Sequence, residues 1–393
     1  MASSRDWRNS LTASQRYENI QALTRAVAAR GLRQSAFAIE DYAYKCAASR
    51  EAYDVACRSL SGGGPADTSA PPEDAPQEPL GSAPESGDTD EPRTRIGQYY
   101  DCHYVASGVT AEVYRSQAKA FKVIVETKNI EPHNPFLEAR ILKLLQKPCI
   151  PLLETFRDQE QRFVLVFPYM PLTLASLLEQ GPLFAVQIRR IFRDLFTALS
   201  QIHSQGIIHR DIKPSAVLLA SPEGPAYLSD FGTAWHPSLS SAAEPADSKL
   251  LDIGTGPYRA PEVLFGNKSY GPPVDMWGAG AMLAECCRSP PKPLFESRGV
   301  HEDGNQLGLI LSIFKTIGSP TRESWPEAVA FKTPPFDMYR AFDHRPWDVV
   351  LPDVAPDWCD LVAALVKFGS SRASADQALQ YTCLSGEEGS TAD

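Results

Sequence analysis

Between residues 6 and 60 the apolar positions recur at helical spacing. Tyr17, Ile20, Leu23 and Val27 form one stripe, opened by a capping-box pattern at Thr12 and Gln15 and closed at Gly31. A second stripe runs from about Gln34 to Ala47 with Phe37, Tyr44 and Ala48, and Ser49 opens a third through Tyr53, Ala56 and Leu60. The pattern predicts a small three-helix module. From Ser61 to about Arg95 it lapses into Gly, Pro, Ser and acids, too poor in apolar surface to offset the entropy of ordering, so residues 61–95 read as a disordered acidic linker.

Beyond residue 99 the period changes. YVASGVTAEVYRS followed by KAFKVIVET predicts a hairpin of β-rich strands. NPFLEARILKLLQ predicts a helix with Phe136, Ile141, Leu144 and Leu145 on its stripe, and FVLVFPYM reads as a buried strand. QIRRIFRDLFTALSQIHSQG predicts a buried helix through Ile188, Ile191, Leu195, Ala198 and Ile202, ending at Gly206.

The chain has 393 residues, more than a single core usually fills, so two domains or one large domain with appendages are expected. A hydrophobic content of 43% and a charged content of 22% are ordinary for globular protein. A net charge of -10 argues against nonspecific binding to nucleic acid. The first residues, MASSRDWRNS, lack an apolar signal core, and no run approaches the roughly 18 apolar residues of a membrane helix, so a soluble, intracellular protein is expected, with no membrane partner. The eight cysteines form no CxxC pairs, which favours free thiols over disulfides or zinc; Cys286 and Cys287 read as helix packing.

Candidate chemistry gathers at IIHRDIKPSAVLL, residues 207–219, and at the strand YLSD with Phe231 and Gly232. Phosphoryl transfer needs a carboxylate near the attacking hydroxyl and another holding magnesium on the phosphates. Asp211 and Asp230 fit those two roles. The order His-Arg-Asp, Lys213, Asp-Phe-Gly and then GTGPYRAPE from Gly254 resembles the protein-kinase catalytic core. The resemblance covers residues 99–381. It implies an α+β, two-lobed protein kinase fold, with a small β-rich lobe and a large helical lobe, over residues 96–382, and a disordered tail at 383–393.

The resemblance also implies ATP and Mg2+ as cofactors. Asp211 would orient the substrate Ser or Thr hydroxyl and take its proton, Lys213 would neutralise the moving phosphate, and Asp230 would hold the metal. Lys122 stands where the family has the lysine that contacts the nucleotide phosphates, and Glu138 is the well-placed acid to pair with it. Ala106, Gly108 and Ala111 occupy the nucleotide-covering loop, followed by Val113, and two alanines in place of glycines predict a stiffer loop with poorer phosphate contact. Phe167 would be the gatekeeper, with Pro168, Tyr169 and Met170 as the hinge that meets adenine.

Ala216 replaces the family asparagine that holds a second magnesium ion. A water or Ser215 substitutes, or one ion suffices, or the chain is a degenerate kinase-fold scaffold whose N-terminal helices bind transcription-related partners. Glu262 would pair with Arg372, Asp275 would tie a buried helix to the HRD backbone, and Thr255 would support the catalytic loop.

Residues 254–285 look like the cyclin-dependent and related kinase group, as does LFESRGVHEDGNQLGLILSIFKTIGSPTRESWP. The helix bearing Glu138 lacks the PSTAIRE sequence, and the segment from Asp230 to Glu262 lacks the phosphorylated threonine, with Leu250 in its neighbourhood. These traits resemble the monomeric CDK-activating kinases of fungi. They imply cyclin and phosphorylation independence, with the activation-loop threonine of a cyclin-dependent kinase as substrate. Asp247 and Asp252 are the expected carboxylates for Arg210. DWRNSLT and FAIEDYAYKCAASREAY, within residues 1–60, resemble the KIX-type module of the fungal Mediator tail and imply a partner helix at residues 6–60. Residence in the nucleus and/or cytoplasm follows only from the resemblance.

Overall fold

The computed structural model describes scattered positions from 19 to 59, and then residues 94–108, 110–126, 131–297, 305–336 and 341–385. The described residues fall into two units, one within residues 1–95 and 100–109 and the other within 96–99 and 110–393. The linker expected at 61–95 lies outside the described residues, except for its last two. Thr12, Gln15, Tyr17, Ile20, Val27, Gly31, Phe37, Ala48 and Leu60 also lie outside them.

In the first unit, Leu23, Ala43, Tyr53 and Cys57 close a small core. Helix α1, Arg50–Ser59, starts where Ser49 predicts it: the Ser49 hydroxyl accepts the Ala52 N–H at 3.2 Å. Its Tyr53 hydroxyl donates to the buried Glu40 carboxylate at 2.6 Å and accepts from Asn19 at 3.2 Å, which satisfies a polar pair inside that core. Two strands follow in the chain, β1 at Thr94–Ile96 and β2 at Tyr99–Ser107.

The second unit has the expected two lobes. Strands β3 (Ala111–Ser116), β4 (Lys119–Ile124), β5 (Glu154–Arg157) and β6 (Phe163–Pro168) pair antiparallel in the order β3-β4-β6-β5. Gln117, at φ +53°, and Ala118 make the tight turn between β3 and β4. Val113 lies opposite Lys122, Lys122 opposite Leu165, and Ala120 opposite Phe167. Directly opposed residues share a face, so Val113, Lys122 and Phe167 stand on one side of the sheet.

Helix α2, Pro135–Leu142, is capped by Asn134, whose side chain accepts the Leu137 N–H at 2.9 Å, with proline at its first position. Its buried face is Pro135, Glu138, Ala139, Ile141 and Leu142. The predicted stripe is corrected at two positions: Phe136 and Leu144 are exposed. The helix stops at Leu142, so Leu144 falls past its end, and Phe136 stacks on Phe163 with ring centroids 4.7 Å apart.

The large lobe is helical. Helix α3 spans Leu174–Gln180, and α4 spans Ala185–Ser204 with Ile188, Ile191, Leu195, Ala198 and Ile202 buried as predicted. Gly206 takes φ +72°, where a side chain would be strained, and turns the chain out of α4. Helix α5, Pro273–Cys286, is buried from Val274 to its end, the mark of a core helix rather than a surface one. Helices α6, Asn305–Ile317, and α7, Pro356–Leu365, complete the lobe's core. Gly280 of α5 allows close approach to α7, since a methyl there would meet Leu365 Cβ at 2.6 Å. The small sheet of β7 (Leu172–Thr173), β8 (Val217–Leu219) and β9 (Ala226–Leu228) carries the two acidic turns. The described cysteines are free, and buried Cys286 ends α5.

Candidate active site

Residues 207–213 follow α4 and are fixed from below by α5. Asp275 accepts the backbone N–H groups of His209 and Arg210, both at 2.8 Å, and its third contact is His203 Nε2 at 2.9 Å. Burial pushes the Asp275 carboxyl up, but the hydrogen bonds and charges of His203 and His209 hold it below its ordinary value. Gly278 makes room for the loop: a methyl there would lie 2.9 Å from the Ile212 carbonyl. Arg210, at φ +74°, is a left-handed residue held by these contacts.

The loop presents Asp211 with both oxygens engaged. Lys213 Nζ donates to Oδ2 at 2.5 Å, and the Thr255 hydroxyl donates to Oδ1 at 2.7 Å. Lys213 also reaches the Thr255 hydroxyl at 3.2 Å. The second acid follows β9. Ser229 donates to the Ala216 carbonyl through both its N–H and its hydroxyl, at 2.9 Å each, and Asp230 then turns through φ +61°.

Lys122 joins the two lobes. Its ammonium lies 2.9 Å from both Glu138 oxygens and 3.1 Å from Asp230 Oδ1. Burial alone would pull the Lys122 ammonium down, but the two carboxylates hold it above its ordinary value. Burial pushes the Glu138 carboxyl up against the pull of Lys122. The Lys122 charge, against the cost of burial, holds Asp230 well below the usual carboxylate range, so it stays ionised. The start of α2 is latched to the same turn, where Asn134 N–H donates to the Gly232 carbonyl at 2.8 Å.

A site that gathers an ion-paired lysine, an ionised carboxylate and a carboxylate beside a hydroxyl is built to hold phosphates next to an alcohol. The family profile of the protein kinase domain matches residues 104–384. The chain belongs to the protein kinase family. The kinase is similar to the serine/threonine-protein kinase csk1 of Schizosaccharomyces pombe, at 31% identity over 289 residues, which covers 70% of this chain and 90% of that one. It is also similar to the serine/threonine-protein kinase CAK1 of Saccharomyces cerevisiae, at 31% over 276 residues, 58% of this chain and 75% of that one. A third relative is the probable serine/threonine-protein kinase glkA of Dictyostelium discoideum, at 32% over 268 residues, 67% of this chain and 50% of that one. The kinase is thus an ATP-dependent serine/threonine protein kinase acting on a protein substrate.

Protein kinases in general use ATP and Mg2+. Among the described residues, no cluster of three or more His, Cys, Asp or Glu could hold a metal on its own. Magnesium asks for less, one or two carboxylates with the substrate's phosphates supplying the rest. Asp230, ionised and with 40% of its side chain exposed, fits that demand for a single ion. Ala216 is fully buried, and its carbonyl already accepts from Ser229, while Ser215 is exposed.

Of the other expected nucleotide residues, Ala111, Val113, Phe167, Tyr169 and Met170 belong to the second unit, and Ala106 and Gly108 to the first. Ala111 is buried at the start of β3, and Val113 and Phe167 share the face of Lys122. The Tyr169 N–H donates to the Ala118 carbonyl at 2.8 Å with Arg115 over its ring, and Met170 packs on the large core. Ala106 lies in β2 and Gly108 just after it; Val109 is outside the described residues.

Two residues of this neighbourhood carry no signal in the sequence. His133 sits where a methyl on Gly232 would be 3.5 Å from its Nδ1, 3.5 Å from Glu138 Oε2 and 3.6 Å from Asp230 Oδ1. Burial lowers the affinity of its ring for a proton, partly offset by Asp230. The second is Glu244, which corrects an expectation: it, and neither Asp247 nor Asp252, meets Arg210. Asp252 is exposed and pairs with Arg259 at 3.3 Å.

Proposed function

We propose that this kinase is of the CDK-activating type, moving the γ-phosphate of ATP onto the activation-segment threonine of a cyclin-dependent kinase. The observation that carries the reading is the Lys122–Glu138–Asp230 set, made within one chain by a helix, PFLEARIL, that lacks the cyclin-binding PSTAIRE sequence. The set stands assembled here without a partner chain. Similarity to CAK1 and csk1 supports the same reading.

Asp211 orients the threonine hydroxyl and takes its proton. As the threonine oxygen bonds to the γ-phosphorus, the bond to the bridging oxygen breaks and ADP leaves. Lys213 offsets the charge on the moving phosphoryl group, and Lys122, steadied by Glu138, holds the nucleotide phosphates. Thr255, which hydrogen-bonds Asp211 Oδ1, marks where the substrate hydroxyl is received. Asp230 would hold magnesium, which would supply positive charge to neutralise the nucleotide phosphates. Val113, Phe167, Tyr169 and Met170 line the nucleotide side, with Ala111 nearest the phosphates; Ala106 and Gly108 are carried over from the family's nucleotide-covering loop.

The test is phosphothreonine formation on a purified cyclin-dependent kinase with Mg-ATP, against an Asp211→Asn control. No transfer above the control refutes the reading. The buried alanine at position 216 favours a second one, a catalytically impaired scaffold. For that, the absence of any magnesium-dependent thermal shift with ATP is the expected result.

On our reading, which rests on the sequence resemblance alone, residues 1–60 are a KIX-like module that receives a partner helix. Residues 61–95 are then its linker, 96–382 the kinase domain and 383–393 a tail. The chain works beside its substrate in the nucleus and/or cytoplasm.

A further inference from the structure

His133 stands just before α2, and its place is fixed through the backbone. The amide that joins it to Asn134 donates to the Gly232 carbonyl at 2.8 Å, and the Asn134 carbonyl accepts the Glu138 N–H at 2.8 Å. Glu138 holds Lys122, and Lys122 holds Asp230 on the turn that runs into Gly232. These bonds close a ring through the start of α2 and the turn of Asp230. His133 cannot leave the site without breaking that ring.

The side chain faces the same space. A methyl on Gly232 would lie 3.5 Å from His133 Nδ1 and 3.6 Å from Asp230 Oδ1, so the imidazole and the carboxylate border one small volume. The charges that act on the imidazole are those of Asp230, Lys122, Asp211 and Lys213, the four that handle phosphate and hydroxyl in the transfer. The residue is half-buried, yet no group among the described residues hydrogen-bonds its ring. Withdrawing a polar ring from water without a partner costs free energy, and a group kept so beside four catalytic charges calls for a ligand. An imidazole has an N–H to donate in either protonation state, and phosphate oxygens accept. With Nδ1 turned to Gly232, Nε2 is the nitrogen left for that ligand.

We propose that His133 is a further binding residue for the γ-phosphate of ATP, its Nε2–H donating to a phosphate oxygen. Position 216 has no side-chain oxygen for a second ion and is fully buried, so charge on the moving phosphoryl group must be met by other means. A donor fixed in place by the backbone meets it without reorganisation. The contact is a hydrogen bond only, and the proton stays on the nitrogen. This rests on the chain being an ATP-dependent kinase and not on which protein it phosphorylates.

The test is calorimetric titration of the full-length protein with the magnesium complexes of ADP and of the β,γ-imido analogue of ATP. His133→Phe fills the space of the ring without a donor. It is expected to bind the ATP analogue about 10-fold or more weakly, the scale of a lost hydrogen bond to a charged group, while affinity for ADP changes little. Merely structural damage would weaken both nucleotides alike. His133→Gln, whose amide N–H stands near the place of Nε2, should keep most of the affinity for the analogue, and kcat/KM for phosphate transfer to casein should follow the same order. In the native chain, the imidazole nitrogen resonances of His133 should move when the ATP analogue replaces ADP. Unchanged analogue affinity in His133→Phe, an equal loss for both nucleotides, or resonances that do not move overturns the proposal, and the last reading needs no variant to be active. A native chain that binds neither nucleotide refutes the kinase reading itself. A native chain that transfers phosphate to casein while His133→Phe binds as well as it does refutes this inference alone.

Discussion

Glu262 and Arg372, 110 positions apart, meet fork to fork inside the large lobe, with Nη1–Oε1 at 2.5 Å and Nη2–Oε2 at 2.8 Å. The guanidinium also donates to the Pro273 and Lys367 carbonyls and lies over the Trp277 ring. The pair pins the end of the activation segment to the C-terminal part of the lobe.

Removing one partner strands the other. Glu262→Ala should cost about 3–5 kcal/mol, because it leaves a buried cation unpaired. The double change Glu262→Met with Arg372→Leu should cost less than either single one. Urea unfolding of the three variants checks the order, and a double variant weaker than both singles would contradict it.

Gly278→Ala tests how tightly α5 backs the catalytic loop. Alanine is better than glycine in a helix by about 1 kcal/mol. Against that, the new methyl would meet the Ile212 carbonyl at 2.9 Å and Ile212 Cβ at 3.1 Å. Overpacking of this kind costs about 1–3 kcal/mol. The clash should win, with a lower Tm. Because Ile212 lies between Asp211 and Lys213, kcat should fall by about tenfold or more while KM for ATP moves little.

His133 makes stability depend on pH. Burial holds its folded pKa below the ordinary 6.5, so the unfolded chain takes up the proton more readily. Its contribution is complete above 6.5 and is lost as pH falls through that value toward the folded pKa. One proton bounds the slope at about 1.4 kcal/mol per pH unit. His133→Gln should flatten the decline between pH 7.5 and 5.5 in urea melts at roughly those two values. An unchanged slope would rule His133 out.

Ala216→Asn supplies a side-chain oxygen beside the Asp230 turn. It should lower the magnesium concentration needed for half-maximal turnover, at a stability cost of about 1–3 kcal/mol for enlarging a fully buried position. Turnover titrated with magnesium at fixed ATP, with Tm alongside, separates the two effects.

What could be read from the chain followed motif spacing and period. Asp211, Lys213 and Asp230 stand in short runs whose order alone suggests two acidic turns on a small sheet, and the structure has them there. Glu138 was legible because α2 has a single acid on the face toward Lys122. The stripe of α4 was legible because all five named positions lie within one uninterrupted helix. Phe136 and Leu144 misled, since apolar spacing does not say where a helix ends or that a strand's phenylalanine waits outside it. Glu244 was illegible for a different reason. Glu244, Asp247 and Asp252 share one irregular segment, and only tertiary packing around Tyr270 and Leu250 selects among them. His133 precedes a helix cap and has no pattern at all.

The acceptor for the His209 and Arg210 amides is a carboxylate from a helix buried on every side. Those two amide hydrogens therefore have no local way out. They should exchange with deuterium only when the large lobe unfolds as a whole, so the rim of the catalytic centre is also one of the slowest-exchanging parts of the molecule.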